Sequence, residues 1–163
     1  MSSEKIPVQT RIDSKVFQNT LFALLDETFE NHHGIYLDRD TGLFRTLSTI
    51  TAAQASVPVG GRCASLAAQV THVIFYLEVL ERHIVHHDAG SVDWGEIWRT
   101  VEKVTPDEWE ALKAKLDDAY RRVDKMLREV QAWDEDSIGG ALAIVVHTAY
   151  HLGEIRQAAC TLK

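Results

Sequence analysis

The amino-acid sequence predicts an all-α protein, a four-helix bundle, on three observations. Four segments carry apolar residues near helical spacing, the second of them at alternating steps of three and four. Ser, Thr, Asp, Pro and Gly stand where helices need caps and stops. No segment alternates apolar and polar residues over the length of a strand. A chain of 163 residues has the size of one domain with a buried core, so residues 1–163 are expected to form a single bundle.

Residues 1–12 read as an extended lead-in. Asp13 or Ser14 can cap a first helix running to about Asn31, with Val16, Leu21, Leu24, Leu25 and Phe29 inward. Gly34 is a natural stop, and His32-His33 fall in the last turn, where the helix dipole favours a partly cationic imidazole. Residues 35–61 form a long connection with room for a short helix from Leu43 to Ala53, and Pro58 with Gly60-Gly61 resets the chain.

The second helix is expected from about Arg62 to His87, with Leu66, Val70, Val73, Leu77, Leu80 and Ile84 as its core seam. His72 lies beside that seam, aligned with Gln69, Tyr76 and His83. His83, His86 and His87 gather at the helix end. His83 and His87 are spaced for chelation, but the helix C-terminus also accounts for them. A link over 88–104 carries Trp94 and Trp98. Thr105-Pro106-Asp107-Glu108 then opens a third helix to about Ala132, with a Thr cap, proline at the first position and Glu three residues on. After a short turn at Trp133–Asp136 the fourth helix runs from Ser137 to about Leu162. The tight turn makes helices three and four antiparallel. The link over 88–104 can run back along a helix roughly 40 Å long, since extended chain spans about 3.3 Å per residue. Helices two and three can then be parallel, giving up-down-down-up.

The fourth helix carries His147-Thr148-Ala149-Tyr150-His151-Leu152-Gly153-Glu154-Ile155-Arg156-Gln157. Histidines four apart project from one helix face and can grip one divalent ion. His72 matches their depth in antiparallel helices to within about one turn, roughly 5 Å. Three histidines with an open fourth position describe a catalytic metal site, and a shared ion would satisfy imidazoles that are costly to bury unpaired. The competing reading is a set of core histidines hydrogen-bonded to backbone or acids. Glu154 shares nearly the same face and is expected either to support a histidine, to act as acid or base, or to be an exposed helix charge. Tyr150 is expected to point away from the two histidines, and Arg156 and Gln157 to support packing or an interface.

These residues resemble the DinB-like (YfiT-type) metalloenzymes: a histidine midway along the second helix, then HxxxH followed by Gly-Glu-Ile-Arg-Gln on the fourth. The resemblance covers almost the whole chain. It implies a bundle with helices two and three parallel, often dimeric. It also implies a divalent transition metal (nickel, zinc, iron or manganese) on His72, His147 and His151. Characterised relatives include transferases joining low-molecular-weight thiols such as bacillithiol or mycothiol to electrophiles, and a related fold serves a thiol-dependent isomerase. Many relatives carry Gln where Glu154 stands. The expectation is a metal-dependent thiol S-transferase, with a thiol and an electrophile as partners. A non-catalytic metal- or small-ligand-binding stress protein and a metal-dependent hydrolase are the alternatives. No nucleophile–base pair, phosphate loop or thiol-recognition signature decides against the binding protein.

The formal net charge of −7 argues against a nucleic-acid partner. Cys63 and Cys160 have no knuckle spacing and make no disulfide framework. With no apolar signal core at the start and no apolar run of roughly 18 residues, a cytoplasmic protein without a membrane partner is expected.

Overall fold

The computed structural model describes residues 13–59, 63–87, 90–95, 97, 98, 101 and 103–162. The expected lead-in at 1–12 and the Gly60-Gly61 reset lie outside them. Among the described residues the protein is all-helical, without a strand. The helices are α1 (Ser14–Phe29), α2 (Leu43–Leu47), α3 (Ala52–Ala55), α4 (Leu66–His86), α5 (Pro106–Glu129) and α6 (Glu135–Thr161).

Asp13 caps α1 by accepting from the Lys15 N–H at 2.7 Å. The helix ends at Phe29, two residues before the expected Asn31, because the buried Glu27 carboxylate organises the chain that follows. It accepts from the backbone N–H of His33 (3.0 Å), Ile35 (3.0 Å) and Tyr36 (2.8 Å). Burial pushes its carboxyl up, but the N–H donors of Tyr36, Ile35, His33 and Gly34 outweigh that and hold it below the ordinary value. His32 and His33 therefore lie beyond the helix instead of in its last turn. His33 Nε2 stands 2.5 Å from Asp26 Oδ2, and His32 Nδ1 3.6 Å from Glu27 Oε1. Gly34, at φ +73, makes the turn that these contacts need. Val16, expected inward, is exposed.

The long connection holds two short helices where one was expected. A capping box between Thr51 and Gln54 restarts the chain as α3. Ser65 caps α4 by accepting from Ala68 N–H at 3.2 Å, so that helix begins after the expected Arg62. Leu66, Val70, Val73, Leu77 and Ile84 are buried as its seam. The capping box at Thr105 and Glu108 opens α5 with Pro106 in its first turn. Trp109 is buried and donates its indole N–H to the Ile50 carbonyl at 2.8 Å, fixing the start of α5 against the α2–α3 segment. α5 stops at Glu129, short of Ala132. Asp134 caps α6 two residues earlier than expected, its Oδ1 accepting from Ser137 N–H at 2.8 Å.

Side-chain pairs give the sense in which helices pass. On α4 and α6, His72 meets His147 while Ile84 lies against Gly140, so the two run antiparallel. Glu78 pairs with Lys115 at 3.4 Å and Glu81 with Arg122 at 3.3 Å, so α4 and α5 run in the same sense. Phe29 stacks on Tyr120 at 4.3 Å and Arg128 covers Phe22 at 4.1 Å, so α1 opposes α5.

α6 is more apolar than the sequence reading allowed. Over 18 residues its mean hydropathy is 1.2, long and apolar enough by composition to cross a membrane, and 44% of that window is buried. The apolar residues serve two faces. Ile144, Thr148, Leu152 and Ile155 face inward, while Leu142, Val146 and Tyr150 are exposed.

Candidate metal centre

The antiparallel packing of α4 and α6 brings His72, His147 and His151 together. Each helix fixes its own share of the geometry. The i, i+4 spacing on α6 puts His147 and His151 on one face, their ring centroids 4.5 Å apart. The close approach at Gly140, where an added Cβ would sit 2.8 Å from Ile84, sets α4 against α6. One nitrogen from each imidazole lies within 4.8 Å of the others. His72 Nε2 and His147 Nε2 are 3.1 Å apart, and His72 and His151 have ring centroids separated by 5.0 Å. With zinc–nitrogen bonds of about 2.0–2.1 Å, tetrahedral ligands lie roughly 3.3 Å apart, close to the His72–His147 separation, and His151 offers a nitrogen within 4.8 Å of both. Among the described residues this is the one group of three or more such side chains close enough to hold an ion.

The unpartnered buried polar atoms lie on the same two helices. The buried side-chain nitrogens and oxygens without a hydrogen-bond partner among the described residues are Nδ1 of His72, His147 and His151, Oε1 of Gln69, and Oγ1 of Thr148. Gln69 is one turn before His72, and Thr148 follows His147. Buried polar atoms are ordinarily paired, and a cluster of exceptions marks a place for an ion or a ligand. In the His72–His147 pair one Nε2 donates to the other, and an ion on the Nε2 side would leave both Nδ1 atoms directed away from it.

All three imidazoles are held neutral. Burial, with lesser repulsion from His151, pushes His72 down to about 4 although Glu154 pulls it up. Burial and then the other two histidines push His147 down to about 3. Burial also lowers His151, against an upward pull from Glu154. Neutral imidazoles keep a lone pair for an ion, so this donor set suits a divalent transition metal.

Glu154 Oε2 lies 2.9 Å from His151 Nδ1. That nitrogen nonetheless counts as unpartnered, because the oxygen sits off the ring's N–H axis. With His151 neutral, the contact is a close but poorly aligned polar one between the imidazole and the carboxylate. It leaves His151 Nε2 as the nitrogen for an ion. Tyr150 is exposed, yet it keeps an edge contact with its chain neighbour. Its ring meets that of His151 at 5.1 Å, edge to face, and its hydroxyl is raised by a hydrogen bond to Glu154.

Three aromatic rings at the site have no counterpart in the sequence-derived ligand set. Tyr76 stacks face to face on His147 at 3.6 Å. Trp98 lies 4.5 Å from His72 and 6.4 Å from His151. Trp94 packs on Phe75 and Tyr76. Tyr76, four residues after His72, could have been found from helical spacing. Trp94 and Trp98 stand in a link without periodicity, where spacing carries no signal.

The other histidines are not brought into the cluster. His83 Nε2 and His87 Nδ1 both face Asp136, at 3.8 and 2.9 Å, joining the end of α4 to the start of α6. A cleft of about 620 Å³ on another side of α6, lined by Arg45, Gln54, Gly153, Arg156, Gln157 and Cys160 among others, includes none of the three central histidines. Donor chemistry, not cavity size, selects the site. No protein-family model, no curated protein and no solved structure matches this chain.

Proposed function

We propose that His72, His147 and His151 hold one divalent transition-metal ion, and that the protein is a metal-dependent enzyme joining a low-molecular-weight thiol to an electrophile. The observation that carries this reading is the convergence of three imidazoles, two buried and one half-buried, with one nitrogen from each within 4.8 Å of the others. When bound, the ion would supply positive charge that favours an anionic nucleophile beside it, a thiolate here or hydroxide in a hydrolase. The chain's own residues do the rest. The histidines fix the donor geometry, Tyr76 and Trp98 limit water at His147 and His72, and Glu154 restrains His151 while standing ready to hold a proton.

The resemblance to DinB-like metalloenzymes supports this reading, as does the helix order. We read the four long helices as an up-down-down-up bundle of that type, from the senses of the α1–α5, α4–α5 and α4–α6 pairs. A cytoplasmic homodimer belongs to the same proposal.

Elemental analysis of protein purified without a His tag should give about one transition metal per chain, falling in His72→Ala, His147→Ala and His151→Ala. Metal-free wild type, or unchanged metal in those variants, sinks the site. Thiol-dependent consumption of monochlorobimane should be lost in the same variants. Metal binding without turnover on any cellular thiol would leave a metal- or ligand-binding stress protein, and turnover of an ester without thiol would leave a hydrolase.

A further inference from the structure

We infer that the open side of the three-histidine site accepts a ligand carrying a flat, unsaturated apolar group, held against the indole of Trp98. This rests on the metal reading above and names the class of molecule that site would take.

Trp98 is placed oddly for a packing residue. It is 41% exposed, whereas Trp109 is 1% exposed and tied to a carbonyl. Among the described residues its ring contacts are with His72 and His151. An exposed indole in water loses the area term that keeps most tryptophans covered, and this one spends its contact on two imidazoles instead of the core. Tyr76 is placed in the same way on His147, with Trp94 against it, and Trp94 is itself 44% exposed. Tyr150 extends the series past His151. Each imidazole therefore has an aromatic neighbour, and three of the four rings keep free surface.

Elsewhere in the protein, rings of this kind carry a cation: Lys113 over Trp109, Arg121 over Tyr120, Arg128 over Phe22. Among the described residues no such cation covers Tyr76, Trp94, Trp98 or Tyr150. The Trp98 ring flanks both His72 and His151, so a ligand on the nitrogens these two share lies within reach of the indole. A flat π-system there gains offset or edge contact that an alkyl group of similar reach does not.

The test separates the metal reading from the inference. Cobalt(II) is loaded into the purified, metal-stripped protein, and its visible absorption reports occupancy. Acetohydroxamate and benzohydroxamate are then titrated against that signal; both offer an ion the same oxygens, and one adds a phenyl ring. Wild type should prefer benzohydroxamate, and Trp98→Ala should lose roughly two- to twelvefold of that preference. Trp98→Phe should retain most of it. Acetohydroxamate affinity and cobalt occupancy should stay level across all three, because the variants leave the histidines in place. Cobalt binding with the same ratio of affinities in wild type and Trp98→Ala overturns the inference. Failure of wild type to take up cobalt overturns the metal reading beneath it.

Discussion

At the scale of single residues, Glu154 shows what spacing can and cannot convey. Its position seven after His147 and three after His151 put it on nearly the ligand face, but the same position suits a solvated helix charge. The structure sets its carboxylate 2.9 Å from His151 Nδ1, with Tyr150 on its other side. A carboxylate against the outer nitrogen of a ligand histidine fixes the ring and raises its basicity, and removing such partners typically weakens metal binding about 10- to 100-fold. The off-axis contact here places the expected loss near the lower end. Glu154→Ala should therefore weaken metal binding by about tenfold in a chelator competition, with Glu154→Gln nearer to wild type. Equal affinity in all three proteins would make Glu154 an ordinary surface charge. His72, His147 and His151 were legible in the sequence because i, i+4 spacing and matched depth are properties of helices. Trp98 was not, because a residue in an aperiodic link has no face until the chain is folded.

At the scale of elements, the helices themselves were legible and their ends less so. Thr105-Pro106-Asp107-Glu108 announced α5 because every donor and acceptor of that cap lies within four residues. The end of α1 depended instead on Glu27 capturing amides six to nine residues onward, which no local pattern signals. Two glycines of α6 make a paired test of how that helix is used. An added Cβ at Gly140 would lie 2.8 Å from Cδ1 and Cγ1 of Ile84, while one at Gly153 meets nothing within 4 Å. Gly140→Ala should cost about 1–3 kcal/mol through forced separation of α4 and α6. Gly153→Ala should stabilise by up to about 1 kcal/mol through helix propensity alone. Denaturant unfolding of both variants gives the comparison. Because His72 and His147 face each other across that same pair of helices, Gly140→Ala should also lower metal affinity, and Gly153→Ala should not.

At the scale of the whole molecule, the sequence carried the all-helical class through its periodicity, while the use of the second face of α6 stayed hidden. A helix apolar on both faces is ordinarily enclosed. Here Leu142, Val146 and Tyr150 are 42%, 67% and 62% exposed, in one stripe at i, i+4 spacing. Gly139 and Gly153 lie seven residues to either side of Val146, each with open space where a Cβ would stand. The stripe is symmetric about Val146, which suits a two-fold contact with a second copy. In an antiparallel pairing Leu142 would lie across from the partner's Tyr150, and Gly139 across from the partner's Gly153. No charged residue stands between Leu142 and Tyr150, and Glu154, which Tyr150 meets, borders the stripe. Since Tyr150 touches His151, such a contact would also border the three-histidine cluster. Sedimentation velocity should therefore find wild type as a dimer and Val146→Lys as a monomer, because a buried pair of ammonium groups on the axis has no partner. Val146→Lys should keep its helicity and its metal, since the side chain points away from the core. A wild type that stays monomeric at high concentration, or a Val146→Lys protein that still dimerises, would assign the stripe to something other than self-association.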